Sequence, residues 1–321
     1  MIKAGIIGGA GYTAGELFRI LLNHPEVEIA FATSNSQEGK VITDIHADLL
    51  GETDLVFIKS PSAEVDVLFL CGGHGMSSTF LRDYKVPAGT KIVDLSRDFR
   101  LKPDNHGFVY GLPELNREDI RSTDKLANPG CFATCIQLAL LPLAKAGKLP
   151  KEVHVHGITG ATGAGQKPVS TTHFSWRNNN LSTYKAFSHQ HLGEIHQSVK
   201  QLNPGNTTQI NFIPMRGDFP RGIFISAYLD FEGELEEAEE LFSEFYEGHP
   251  FTHMTSTNPH LKQVVNTNKA ILHLEKHGEK LLIISMLDNL LKGASGQAVQ
   301  NMNLMFGFPE ELGLKLKALA F

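Results

Sequence analysis

Gly8-Gly9-Ala10-Gly11-Tyr12-Thr13-Ala14-Gly15 follows the short apolar run Lys3 to Gly8, and helical spacing through Leu17, Ile20 and Leu21 begins just after it. A strand, a glycine turn and a helix in that order open a dinucleotide-binding unit. Gly9, Gly11 and Ala14 fit the G-x-G-x-x-A form, and Gly8 with Gly11 fits a G-x-x-G reading. Glycines there let backbone approach a pyrophosphate, whose charge rests on the N-terminus of the next helix. Gly8, Gly9, Gly11, Tyr12, Thr13 and Ala14 are therefore expected at a cofactor. Without a ligand the same stretch is a tight turn, so the following strand ends have to decide.

The second strand-like run, Val27 to Thr33, ends in Ser34-Asn35-Ser36-Gln37-Glu38-Gly39-Lys40. Enzymes using NAD usually place a carboxylate at this strand end for the ribose 2′-hydroxyl. Here hydroxyls and an amide (Ser34, Asn35, Ser36) stand in its place with Lys40 nearby, which favours a 2′-phosphate and hence NADP. Two further strand-like runs, Val65 to Cys71 and Lys91 to Leu95, lead into Gly72-Gly73-His74-Gly75 and Ser96-Arg97-Asp98-Phe99-Arg100. Loops at the carboxyl ends of parallel strands hold ligands in such folds. Gly72 and Gly73 let backbone near the cofactor, and His74 is either a ligand contact or a turn residue. Arg97 or Arg100 either meets an anionic substrate or is a solvated loop charge, and Cys71 reads as core.

Asn128-Pro129-Gly130-Cys131-Phe132-Ala133-Thr134 delivers a cysteine to the first turn of an apolar helix running to about Ala146. Exposed N–H groups and partial positive charge at a helix N-terminus favour the thiolate, which is the nucleophilic form. Cys131 is either that nucleophile or a small packing residue, and Cys135, one turn on, reads as packing. From about Lys151 the pattern changes to longer strands and hairpins, with His154 and His156 on one face of Val153 to Ile158. Gly157 to Gly165 is too irregular for a regular element and reads as a functional loop. Trp176 to Ser188, with its three consecutive asparagines, reads as a surface or partner-facing segment.

A second chemical cluster is Ser188-His189-Gln190-His191-Leu192-Gly193-Glu194. With His191 at a helix start, Glu194 lies three residues on and within reach, fixing the imidazole tautomer and raising its basicity. A cysteine with a carboxylate-oriented histidine is the activated-nucleophile pattern. The same histidines with His196 also allow a metal site or a solvated cluster. Strands are expected over Gln209 to Met215 and Gly222 to Phe231, and an acidic amphipathic helix over Glu232 to Gly248. A hairpin follows over Ala270 to Glu275 and Lys280 to Leu287. A second glycine-containing helix start, Asp288 to Gln297, predicts a return to the nucleotide domain and adds Asn289 and Gly293 to the cofactor residues.

Composition narrows the classes. A chain of 321 residues with 41% apolar and 20% charged residues suits an ordinary two-domain protein. A formal charge of −6 gives no basic footprint for nucleic acid or acidic membrane. The longest apolar run is too short to span a bilayer, and the N-terminal strand is unlike a signal peptide. Three widely spaced cysteines form no disulfide framework, so the cytoplasm is expected.

Assembled, these residues resemble the N-acetyl-gamma-glutamyl-phosphate reductases, relatives of aspartate-semialdehyde dehydrogenase. The resemblance rests on Gly8 to Leu17, Asp94 to Leu101, Val109 to Asn116, Asn128 to Thr134, His189-x-His191-x-x-Glu194, Ile213 to Met215 with Arg221 to Ile223, and Asp288 to Pro309. It departs at Phe132-Ala133, where the family usually has Tyr-Pro, and at Asn35, where it often has Arg. Arg216 to Pro220 resembles a small insertion able to reshape the acyl-recognition pocket. The resemblance implies an α/β fold: a Rossmann-type NADP-binding domain (1–148 and 289–321) and an α+β catalytic and oligomerisation domain (149–288), with the C-terminal helix returning to the first. It implies reduction of an acyl phosphate by NADPH through a Cys131 thioester, in arginine biosynthesis, with His191 as acid/base, His189 as second choice and Glu194 as orienter. Arg97, Lys167 and Arg221 are its candidate substrate ligands, no metal is implied, and a homodimer or tetramer is expected. Competing readings are the same chemistry on an N-succinyl or other acyl phosphate, a zinc hydrolase, and a non-catalytic NADP-binding regulator.

Overall fold

The computed structural model describes residues 1–319, which divide into two compact units. The first comprises Met1–Pro129 with Ala294–Lys315 and is built on a seven-stranded sheet. Its strands are β1 (Ile2–Ile7), β2 (Val27–Thr33), β3 (Phe57–Ile58), β4 (Val67–Leu70), β5 (Lys91–Asp94), β6 (Val109–Tyr110) and β7 (Lys125–Ala127). They pair in the order β3-β2-β1-β4-β5-β7-β6, every pair parallel. Parallel strands covered on both faces read as continuous apolar runs, and all four residues of β4 are buried. Chain order reverses on either side of β1, so the crevice at the carboxyl ends of β1, β2 and β4 is the topological switch point. Helices α1 (Tyr12–Leu21), α2 (Met76–Asp83) and α3 (Pro113–Ser122) connect these strands.

The second unit, Gly130–Gly293 with residues 316–319, is built on a mixed sheet. Its strands are β8 (Glu152–Thr159), β9 (Ser182–Thr183), β10 (Gln209–Arg216), β11 (Ile223–Asp230), β12 (Thr252–Met254), β13 (Ala270–His277) and β14 (Lys280–Leu287), in the order β12-β13-β14-β11-β8-β10-β9. Its helices are α4 (Cys131–Lys145), α5 (Phe174–Arg177), α6 (His191–Leu202) and α7 (Leu235–Tyr246). Along β8, Val153, Val155, Gly157 and Thr159 are buried while His154, His156 and Ile158 are half-exposed on the opposite face. The strand therefore continues three residues, Gly157 to Thr159, into the stretch expected to be loop.

Helix α4 is apolar all round because it is covered all round, by α6, α7, β11, β13 and β14. That packing places it in the second unit, so the boundary falls between Pro129 and Gly130 rather than after residue 148, and between Gly293 and Ala294 rather than after residue 288. Pro142 lies inside α4 and cannot donate to the carbonyl four residues back. The Tyr246 hydroxyl of α7 donates to that Leu138 carbonyl instead, at 2.6 Å. The last helix, α8 (Gly296–Phe306), packs against α1 and α3 in the first unit. No helix among the described residues is long and apolar enough to cross a membrane.

Candidate active site

At the switch point of the first unit the glycine turn is shaped by two constraints. Gly8 has φ +81°, and a Cβ on it would lie 2.9 Å from the Gly72 backbone nitrogen. Only glycine serves both needs. Gly8 and Gly9 donate to the Thr33 carbonyl at 3.1 and 2.8 Å, fixing the turn against the end of β2. Beneath it, His46 Nε2 donates to the Gly9 carbonyl at 2.7 Å, and its ring occupies the space that a Cβ on Gly15 would need. Nothing lies within 4 Å of a Cβ position on Gly11, which precedes α1 without a side-chain cap, so there is open space at that helix start.

That space belongs to a cavity of about 800 Å³ lined by Gly8, Gly11, Ser34, Asn35, Ser36, Gly72 and Gly73, with Ala10, Lys59, Ser60, Cys71 and Met76. Tyr12, Thr13 and His74 do not line it. Ala14 is fully buried, the Thr13 carbonyl accepts from Ser295, and His74 Nδ1 accepts the Arg97 N–H. Arg100 is buried, donating to the Leu95 carbonyl, whereas Arg97 is exposed. An uncapped helix start, close backbone approach and a hydroxyl-rich second strand end fit a dinucleotide with a 2′-phosphate. Sequence reasoning missed His46 and Lys59, neither of which belongs to a spacing motif.

In the second unit Cys131 opens α4, half-buried. Gly130 before it has φ −71° and ψ 150°, ordinary extended values, so conformational freedom does not explain the glycine. Space does: a Cβ would lie 2.3 Å from His191 Nε2. The imidazole thus sits on the Gly130 backbone, next to the cysteine. Glu194 joins the two, because its Oε2 accepts the Gly130 N–H at 2.9 Å while its Oε1 lies 3.9 Å from His191 Nε2. A second glycine flanks the thiol from the other side, since a Cβ on Gly293 would lie 2.9 Å from Cys131 Cβ.

His189 lies against this set, 4.6 Å from His191 ring to ring. Its Nδ1 accepts the His191 N–H at 3.3 Å, so the neutral ring carries its proton on Nε2. Burial, reinforced by the Lys185 charge and opposed by Glu194, pushes its pKa down to about 4. Cys135 is fully buried, with its Sγ 3.3 Å from the Ser285 carbonyl, and burial raises its thiol. Among the described residues no group of three or more His, Cys, Asp or Glu is arranged to hold a metal ion.

Arg221 Nε donates to Asp288 Oδ2 at 3.1 Å. The buried Asp288 also accepts the N–H groups of Asn266 and Leu290, at 2.7 and 2.8 Å. Asn289 holds the same turn, accepting the Gly222 N–H at 2.7 Å and donating to Thr162 at 3.0 Å. Asn289 and Gly293, expected at the cofactor, belong to the second unit, one bracing the β10–β11 turn and the other against Cys131. Lys167 is exposed on the loop after β8.

A dinucleotide cradle in one unit, and a cysteine with an oriented histidine in the other, define the semialdehyde dehydrogenase class. Residues 3–123 match the family model described as semialdehyde dehydrogenase, NAD binding domain, and residues 131–289 the one described as its dimerisation domain. Among solved structures, aspartate semialdehyde dehydrogenase II from Vibrio cholerae is similar with a TM-score of 0.77 at 16% identity, over 96% of this chain and 98% of that one. The enzyme of Candida albicans, solved with NADP, gives 0.72 at 14%, over 95% and 98%. At that identity the likeness shows the fold. Sequence relatives go further: the N-acetyl-gamma-glutamyl-phosphate reductase of Christiangramia forsetii is 61% identical over 99% of both chains. That of Bacteroides thetaiotaomicron is 60% identical over the full length of both. The chain belongs to the N-acetyl-gamma-glutamyl-phosphate reductase family.

Proposed function

We propose that the protein reduces N-acetyl-gamma-glutamyl phosphate to N-acetylglutamate 5-semialdehyde and phosphate, a step of arginine biosynthesis, through a thioester on Cys131. The observation that carries this reading is the seating of His191 on Gly130, bridged by Glu194 to the backbone that presents Cys131. The thiolate attacks the γ-acyl carbon, and N–H groups at the start of α4 face the developing oxyanion. Phosphate leaves, and the acyl group stays on sulfur. Gly8, Gly11, Ser34, Asn35, Ser36, Gly72 and Gly73 would hold NADPH, which when bound would supply the hydride for the thioester carbonyl. His191 protonates the resulting oxygen and takes that proton back as the C–S bond breaks, which frees the aldehyde and restores the thiolate. Glu194 stabilises the imidazolium that exists before His191 gives the proton and again after it takes it back, while His189, with its depressed pKa, stays neutral and accepts the His191 backbone N–H. Arg221, braced by Asp288, is a substrate anion ligand.

The assembly in this reading is a homodimer through the open face of the second sheet. There Met215, Ile158 and Phe224 are half-exposed in one cross-strand row and Ile213, His156 and Ser226 in the next, while Met286, Ile284 and His273 further along are buried, the first two in a cluster with Val264. The protein is placed in the cytoplasm in this reading, with Cys71, Cys131 and Cys135 as free thiols.

Phosphate-dependent reduction of NADP by N-acetylglutamate semialdehyde, run beside the N-succinyl analogue, tests the function. Turnover with the acetyl compound is expected. Preference for the succinyl compound would keep the chemistry and change the acyl group, and inactivity with every acyl phosphate and semialdehyde would refute it.

A further inference from the structure

One cation beside the nucleophile has no part in that mechanism. Arg216 ends β10, where the short edge strand β9 pairs Ser182 with Arg216 and Thr183 with Met215. That pairing brings Tyr184 beneath the side chain, with the guanidinium carbon 4.7 Å from the ring centre. The Tyr184 ring meets the His189 ring edge-on at 5.7 Å. Burial and then the neighbouring Cys131 thiolate push the phenol up to about 12, with Arg216 pulling the other way. Guanidinium, phenol and histidine are therefore in successive contact, and His189 leads through His191 to Gly130, the residue before Cys131.

The charge balance there is unusual. Among the described residues no carboxylate pairs with Arg216, and its Nε is buried without a hydrogen-bond partner. A second arginine is held close by: Arg177 Nη1 donates to the Arg216 carbonyl at 2.6 Å, and Nη2 to Ser182 at 3.0 Å. The two guanidiniums repel, and burial and that repulsion both depress Arg177. The Asp218 carboxylate accepts the Asn179 N–H at 2.6 Å, and its charge acts on Arg177. Keeping like charges together in partial burial is unfavourable unless an anion joins them.

We propose that Arg216, laid over Tyr184 beside Cys131, is an anion ligand of the reaction site. The ring fixes the guanidinium plane, so its fork is presented without ordering a flexible chain. The inference rests on the acyl-phosphate reading, in which the substrate carries two anionic groups, a phosphate and a carboxylate. Either has the bidentate oxygen geometry that arginine takes. Arg221, tied to Asp288, is separate from this position and available for the other anion.

The reverse reaction separates the two sources, because phosphate and semialdehyde are then independent substrates. In Arg216→Gln the KM for one of them rises about 10- to 100-fold, the scale of a charge-assisted hydrogen bond. NADP affinity and the melting temperature stay as in wild type. A rise for phosphate alone assigns the phosphate, and a rise for the semialdehyde alone assigns the carboxylate. Arg216→Lys keeps the charge without the fork and recovers part of the loss; it carries the test if the glutamine variant does not fold. Protection of Cys131 from iodoacetamide by inorganic phosphate and by N-acetylglutamate needs no turnover and is expected to fail for one of them in Arg216→Gln. Unchanged KM values and unchanged protection by both would overturn the proposal. Wild-type inactivity on every acyl phosphate would instead refute the functional reading, with the protection assay still reporting on Arg216.

Discussion

Replacing Gly130 with Ala adds one methyl group at the junction of nucleophile and acid/base. The backbone there is at φ −71° and ψ 150°, which alanine adopts without strain. Where the backbone already suits alanine, the substitution by itself stabilises by about 0.4–1 kcal/mol through the unfolded chain. The added carbon, however, would lie 2.3 Å from His191 Nε2, whereas ordinary contact begins near 3.4 Å. The imidazole, buried between Gly130 and His189, must withdraw by about 1 Å, a misplacement that can cost about 100-fold in rate. We therefore expect Gly130→Ala to fold with near wild-type stability and lose about two orders of magnitude in kcat. NADP affinity should be unchanged, because Gly8 and Gly11 belong to the other unit. The assay is steady-state turnover in the phosphate-dependent direction, with melting temperature and direct NADP binding measured on the same preparation. Wild-type turnover in a folded Gly130→Ala protein would refute the assignment of His191 as the group that works on the Cys131 adduct.

Other expectations are as direct. Cys131→Ser should abolish semialdehyde formation while NADP binding persists, and a fully active serine variant would end the thioester mechanism. His191→Ala should lower kcat by about 10²- to 10⁴-fold, the range of general acid–base catalysis. If His189→Ala alone did so, the two histidines exchange roles. His189 is held neutral in the fold, with a pKa near 4 against 6.5 in the unfolded chain. Below pH 6.5 the unfolded state binds the extra proton, so this stability is present above 6.5 and lost as pH falls towards 4. The full difference is about 3 kcal/mol. Denaturant unfolding of His189→Gln from pH 7 to 4 should show a shallower acid loss than wild type, and parallel curves would contradict it.

The fold was legible wherever local rules act. The glycine turn at Gly8–Gly15, the period-two run of β8 and the apolar helix from Cys131 each report constraints between residues a few positions apart. Periodicity and turn chemistry encode these directly. Strands β2, β10, β11 and β14 and helices α4 and α6 accordingly fall close to their expected places. The boundary after residue 148 was not legible, because an apolar helix does not say which sheet covers it. Packing of α4 against α6 and α7 decides that.

The site divides in the same way. By itself the sequence determined the residue types and their local stage: a cysteine after Pro-Gly at a helix start, a histidine with glutamate three positions on, and hydroxyls at the end of β2. Only the tertiary structure decided what they touch. Glu194 reaches the Gly130 N–H across 64 positions, and His191 takes the place of a Gly130 side chain, because α4 packs on α6. Gly293 flanks Cys131, and Arg216 lies over Tyr184, just after the edge strand β9. The physical reason is distance along the chain. Spacing rules reach one or two turns of helix or a hairpin, whereas a reaction site joins segments that only a packed core brings within hydrogen-bond range.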